Sequence, residues 1–124
     1  MGSSMRIPRR FLGAAAVLPL LASMMVVLTP GVAEAVTCGQ SWSDKDKSGY
    51  GFPDGPGDGT VTMHTGIYGD CPSAGTVRGF KLWYHCYRRN SYGHTWTNVR
   101  VDGTTVSGWV YDAYLSNGGS IYPC

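Results

Sequence analysis

The feature that most constrains this sequence is the segment from Phe80 to Leu115, which reads FKLWYHCYRRNSYGHTWTNVRVDGTTVSGWVYDAYL. Three of its parts, 80–88, 96–101 and 106–111, are rich in aromatic and β-branched residues and alternate as strands do. Turn signals separate them, the clearest being Asp102-Gly103. Since no amphipathic helical pattern competes, the segment predicts the closing strands of a small all-β barrel or sandwich.

The two faces of these strands are predicted to differ in role, because successive side chains of a strand point to opposite sides. Cys86 falls in the expected core phase and His85 in the outward phase. Shorter elements are expected at 60–64 (a strand), 73–77 (a strand or a turn) and 113–115 (one helical turn). The other core positions are Phe80, Leu82, Tyr84, Val99, Val101 and Val110, and the outward aromatics are Trp83, Tyr87, Trp96, Trp109 and Tyr111.

Residues 1–35 have the layout of a secretory signal peptide. Arginines precede an apolar run, Phe11–Leu28, and small residues at Ala33 and Ala35 fit a cleavage site after Ala35. A membrane anchor is the alternative, but Pro19 interrupts the apolar run that an anchor needs. The expected location is therefore secreted, extracellular or cell-wall associated, with no stable membrane insertion after cleavage.

The charge of the chain changes once this segment is removed. The formal net charge of +2 comes from residues 1–35, since beyond them seven lysines and arginines face seven aspartates and no glutamate. A balanced surface gives no steering toward nucleic acid or an acidic membrane, so neither is expected as a partner.

Four cysteines, Cys38, Cys71, Cys86 and Cys124, follow the predicted cleavage site. In a small secreted chain they predict two disulfides, because a domain of this size buries too little surface to be stable without help. Of three possible pairings we favour Cys71–Cys86, which is local, with Cys38–Cys124, which joins the ends. Zinc is the competing ligand, but no Cys-x-x-Cys or close histidine pair occurs, so we expect no metal and no cofactor.

Residues 36–59 form an irregular extension dominated by glycine, aspartate and proline, which favours turns. Within it, 44–49 (DKDKSG) matches the opening of a calcium-binding loop. The twelfth position is Gly55 instead of the bidentate glutamate, so a solvated turn is favoured over a calcium site. Whether this extension covers the outward aromatics decides if they are available to a ligand.

Five short motifs between residues 60 and 115 resemble the bacterial SH3 (SH3b) pattern, and the chain is similar to small secreted bacterial proteins with one disulfide-bonded domain of that type. His64 and Ile67 replace the arginine and proline that are usual in the first motif. The resemblance implies a five-stranded open barrel that binds cell-wall peptides or glycans. The motifs are Val61–Gly66, Gly75–Val77, Trp96–Val101, Gly108–Val110 and Ala113–Leu115.

If the resemblance holds, the ligand groove is expected to comprise Tyr68, Trp96 and Tyr114, with His64 nearby, whereas Trp109 is expected to pack structurally. The predicted domains are then the signal peptide 1–35, the extension 36–59 and an SH3b-like domain with a C-terminal tail, 60–124.

An enzyme is not expected. Three isolated histidines, His64, His85 and His94, have no evident carboxylate partner, and no Gly-x-Ser-x-Gly motif occurs. The predicted function is a secreted, monomeric binding module for a cell-envelope polymer or peptide, acting through an aromatic groove. The alternative is a secreted inhibitor or protein–protein interaction domain that grips another secreted protein with its hairpin loops.

Overall fold

The computed structural model describes residues 36–124, and the predicted signal peptide lies outside the described residues. Within them the only helix is a single 3-10 turn, Asp112–Tyr114, and no helix there is long and apolar enough to cross a bilayer. The six strands are β1 (Tyr50–Gly51), β2 (Val61–His64), β3 (Ser73–Val77), β4 (Leu82–Arg89), β5 (Thr95–Val101) and β6 (Ser107–Tyr111).

All six strands belong to one antiparallel sheet in the order β1-β4-β5-β6-β2-β3, so β1 and β3 are its edges and the sheet is not closed. The all-β prediction is confirmed. The sheet has six strands instead of five because the extension supplies one: Tyr50 and Gly51 pair with Trp83 and Leu82 of β4. The extension is thus partly built into the sheet.

The main core lies on one face of the sheet, and the alternation of β4 to β6 predicted most of it. The prediction was wrong for Phe80, which is 60% exposed, because β4 begins only at Leu82 and Phe80 lies in the bend before it. Full burial of such side chains contributes about 1.5–3 kcal/mol each. The core residues are Val61, Met63, Val77, Leu82, Tyr84, Val99, Val101, Val110 and Leu115.

A β-bulge at His85 changes the faces of β4. Tyr84 pairs with Val99 but Cys86 pairs with Asn98, so His85 is an extra residue in this strand. The alternation shifts there, and Cys86 lies on the opposite face from Tyr84. His85 is buried as well, which corrects the expectation that it faces outward.

This opposite face carries a second apolar cluster of Ile67, Trp96 and Trp109, with Tyr68, Tyr111 and Cys124 packed against it. Trp96 and Trp109 lie on the face opposite the main core, as their strand phase predicted, but they are only 6% and 2% exposed because this face is covered as well. The packing role expected for Trp109 from the SH3b resemblance agrees with its burial. Trp83, Tyr87 and Tyr111 are half-buried.

The N-terminal extension covers part of this second face. The Ile67 backbone N–H donates to Gln40 Oε1, the Arg88 guanidinium donates to the Ser41 carbonyl, and Trp42 stacks on His85 with ring centroids 4.1 Å apart. The extension therefore helps to bury the second face, which explains how a short domain has buried residues on both faces of its sheet.

The disulfides join Cys38 to Cys71 and Cys86 to Cys124, so the favoured pairing was wrong. Its physical error was to weigh nearness in sequence over strand order. Cys71 precedes β3, and β5, β6 and β2 separate β3 from the strand that carries Cys86. The C-terminal tail instead returns along β4, where the Cys124 N–H donates to the Tyr87 carbonyl.

Candidate functional site

Four aromatic rings converge on a groove of about 260 Å³ between β2, β5, β6 and the 3-10 turn. We call it the aromatic groove. It contains three of the four predicted ligand-binding residues, His64, Trp96 and Tyr114, together with Tyr111. The fourth, Tyr68, lies elsewhere: its hydroxyl donates to Ser91 Oγ and its ring contacts Tyr92 edge-on. The remaining lining residues are Pro56, Thr60, Val61 and Thr62.

Strand register brings these rings together. Trp96 of β5 pairs directly with Tyr111 of β6, and their ring centroids are 5.6 Å apart. His64 ends β2 and contacts Trp96 edge-on at 5.6 Å, and Tyr114 contacts Tyr111 at 5.2 Å. Aromatic pairs at such distances contribute about 0.5–1.5 kcal/mol each beyond burial, so the groove is a preformed wall of packed rings.

Two polar groups in this wall are notable. The indole N–H of Trp96 is buried and has no hydrogen-bond partner among residues 36–124, which costs about 1–3 kcal/mol. His64 Nδ1 lies 2.8 Å from the Cys71 carbonyl oxygen, which only accepts, so Nδ1 carries the proton. In the neutral ring Nε2 is then left as an acceptor.

Tyr111 was missed as a groove residue because strand phase alone marked it as one outward aromatic among several. The signal that finds it is register: the tight turn at Asp102-Gly103 fixes how β5 and β6 align, and that alignment places Tyr111 opposite Trp96. Pro56 comes from the extension, and no local pattern indicates its place.

The remaining histidines and the calcium-loop aspartates have protein partners. His85 Nδ1 lies 2.7 Å from Asn98 Oδ1, and the His94 ring contacts Tyr111 at 5.2 Å. Asp44 lies near Lys47, whereas Asp46 is buried and accepts a hydrogen bond from Ser120. In the described part of the chain, no three His, Cys, Asp or Glu side chains are grouped closely enough to hold a metal ion.

The carboxyl of Asp112 lies at the start of the 3-10 turn and accepts a hydrogen bond from the Thr97 hydroxyl at 2.6 Å. Burial raises the pKa of Asp112 above its usual range, although the hydrogen bonds from Thr97 and Thr95 oppose the shift. The folded chain therefore holds the proton of Asp112 more tightly than the unfolded chain does.

This shift predicts a pH-dependent effect of Asp112→Asn. A raised pKa gives stability that is complete below the unfolded pKa of 3.8 and is lost as pH rises through the folded value. The amide keeps an oxygen for Thr97 and never ionises. We therefore expect the variant to melt at a higher temperature than the wild type at pH 7, with the difference shrinking below about pH 4. A melting difference that is constant from pH 3 to pH 7 would contradict the assignment.

Comparison of the chain with protein-family models, curated proteins and solved structures finds no match. The structure itself shows an all-β domain with two disulfides and an aromatic groove. The two disulfides are compatible with an extracellular location, since such bonds persist in oxidising compartments.

Proposed function

We propose that the mature chain is a secreted, non-catalytic, SH3b-like binding module that recognises a cell-wall peptide or glycan through the aromatic groove. The observation that carries the proposal is the convergence of His64, Trp96, Tyr111 and Tyr114 on one concave surface. Packed rings of this kind can stack on sugar faces or hold an apolar peptide segment.

The chemistry of the lining favours an uncharged part of the ligand. No lysine, arginine, aspartate or glutamate lines this groove in the described residues. The polar groups of the lining are threonine and tyrosine hydroxyls and the His64 ring, which can hydrogen-bond to the carbonyls of a peptide or the hydroxyls of a sugar.

The SH3b-like and secreted parts of the proposal have separate support. Residues 60–115 contain five strands, β2 to β6, which supports the five-stranded domain that the resemblance implies. Cleavage after Ala35 would leave Cys38 close to the new N-terminus and free to pair with Cys71, which requires an oxidising compartment.

Sedimentation with purified insoluble peptidoglycan tests the function. The mature chain should pellet with it, and Tyr114→Ala should weaken binding about tenfold, because the substitution removes an accessible ring from the groove. Tyr92→Ala is the matched control, since this ring is also exposed but lies outside the groove. A wild-type chain that stays in the supernatant, or equal losses in both variants, would refute the proposal.

A rigid hairpin tip supports the alternative function, a secreted inhibitor or protein–protein interaction domain. Tyr92 is 61% exposed between β4 and β5, and the Asn90 side chain holds this turn: Oδ1 accepts from the N–H groups of Tyr92 and His94, and Nδ2 donates to the Ile67 carbonyl. A preorganised tip loses little entropy on binding. The same two variants distinguish the functions, because here Tyr92→Ala would abolish capture of a protein partner and Tyr114→Ala would not.

A further inference from the structure

A second groove, larger than the aromatic groove, lies where the N-terminal extension meets the C-terminal tail. Its volume is about 620 Å³, and it shares no lining residue with the aromatic groove. We call it the tail groove. Tyr50, Phe52 and Tyr122 line it, each 44–47% exposed, and Asp46, Tyr84 and Asn117 contribute its polar atoms. Most of these residues lie outside the segment that resembles SH3b.

Glycines lie beside the polar groups of the tail groove at positions where a side chain would not fit. A Cβ at Gly49 would collide with the Asp46 carboxylate, and a Cβ at Gly51 would collide with the Tyr84 hydroxyl. Both glycines line the groove, so the Asp46 carboxylate and the Tyr84 hydroxyl pack directly against the backbone there. A third lining glycine, Gly119, could not carry a side chain either, because Asp112 and Thr97 lie against it.

Three donors around the tail groove are already used within the protein. The Tyr84 hydroxyl donates to Asn117 Oδ1 at 2.6 Å, Asn117 Nδ2 donates to the Tyr50 carbonyl, and the Ser120 hydroxyl donates to Asp46 Oδ2 at 2.9 Å. The lining also carries two serine hydroxyls, and its charged acceptor is the Asp46 carboxylate.

Asp46 is the group that points to a ligand. Its side chain is 8% exposed, and its second oxygen, Oδ1, makes no hydrogen bond within residues 36–124. Trp96 Nε1 is the one fully enclosed side-chain polar atom there without a partner, so Asp46 Oδ1 is still reachable from the groove. A nearly buried carboxylate with an open acceptor favours a charged donor.

The charged groups around the tail groove favour a positively charged donor. No lysine or arginine lines the tail groove in the described part of the chain. Burial raises the pKa of Tyr84 well above its usual range, and the nearby carboxylates of Asp112 and Asp46 raise it further. Nearby, the Lys81 ammonium already lies 4.3 Å above the Tyr50 ring and 4.2 Å above Trp83. Lys81 therefore occupies one face of Tyr50, which leaves the Phe52 and Tyr122 rings as the walls without a cation of residues 36–124 on them.

We propose that the tail groove binds a primary ammonium group carried on a flexible chain, with Asp46 as the counter-ion and Tyr50, Phe52 and Tyr122 as its aromatic walls. A primary ammonium has three donors and no acceptor, which complements the Asp46 carboxylate in the groove. Lysine side chains and terminal amines of peptides both carry this group.

Titration of the mature chain with Nα-acetyl-lysine methylamide, followed by NMR at the amides of Gly49, Gly51 and Asn117, tests the proposal. The Nε-acetylated twin of this probe keeps the chain but loses the charge, and we expect it to bind at least about tenfold more weakly. Glycine methylamide, which has only a terminal amine, shows which source of ammonium binds better. Equal shifts with the charged and acetylated probes, or no shifts with any amine, would overturn the proposal.

Variants locate the effect. Asp46→Asn keeps an oxygen for Ser120 but removes the charge, and it should weaken binding of the lysine probe at least about tenfold, whereas Asp44→Asn, on an exposed carboxylate outside the groove, should not. Should Asp46→Asn fail to fold, Tyr122→Ala on the exposed rim tests the same site and should also weaken binding. Tyr114→Ala should leave it unchanged, so this result is independent of the peptidoglycan result. Unaltered affinity in both tail-groove variants would refute the site.

Discussion

Replacing Cys86 and Cys124 together with alanine should lower the free energy of unfolding by about 4 kcal/mol, as the loop-entropy estimate gives for the sequence separation of 38. A folded domain of the size of residues 36–124 has roughly 4–13 kcal/mol of stability in total, so the variant should be marginal or unfolded at 37 °C. Urea denaturation monitored by tryptophan fluorescence measures the change. Alanine is chosen because Cys86 is fully buried and a serine there would bury a polar group.

The matched variant is Cys38→Ala with Cys71→Ala, which removes the other disulfide. That disulfide closes a loop of similar length, with a separation of 33, so its loss should lower the free energy of unfolding by about the same amount. The two variants should differ locally. The first releases the tail that lines the tail groove, and the second releases the N-terminal residues that cover the second face. Non-reducing peptide mapping should recover the two pairs found here, and a fragment joining Cys71 to Cys86 would contradict the fold.

The fold class could be predicted because alternation is a local property. Leu82, Tyr84, Val99, Val101 and Val110 follow a period of two, and all five lie in the main core. The bulge at His85 could not be predicted, since one extra residue in a strand leaves no mark in composition or spacing. That single insertion turned Cys86 to the other face of the sheet, where Cys124 reaches it.

The candidate site was partly predictable for a similar reason. His64, Trp96 and Tyr114 were proposed from a resemblance and lie in one groove, while Tyr68 was placed there wrongly because the course of a loop is set by contacts distant in sequence. Ser91 and Tyr92, which hold Tyr68, lie more than twenty residues further along the chain. The tail groove was not predicted at all, since it depends on two chain ends meeting across β4.

Trp109→Ala should lower the free energy of unfolding by about 3–5 kcal/mol, the usual cost of removing a large buried aromatic side chain. Trp109 is 2% exposed and packs with Ile67 and Trp96 in the second cluster. Were it an outward residue on an open face, the same substitution would change stability by less than about 0.5 kcal/mol. Chemical denaturation therefore decides directly whether the second face of the sheet is core or surface.

The control is Trp83→Ala, on a half-buried ring whose Nε1 donates to Asp102 at 2.8 Å. This substitution removes one exposed hydrogen bond and the contacts of a half-buried ring, so it should lower the free energy of unfolding by only about 1–2 kcal/mol. Trp109→Phe should fall between these variants, because a smaller ring still fills part of the site. Trp96 belongs to the same cluster and also lines the aromatic groove. Because Trp109→Phe loosens the packing beneath Trp96, this variant should keep its fold but bind peptidoglycan more weakly. Equal losses for Trp109→Ala and Trp83→Ala would show that Trp109 stabilises the protein no more than a half-buried ring does, which would contradict its place in a second core.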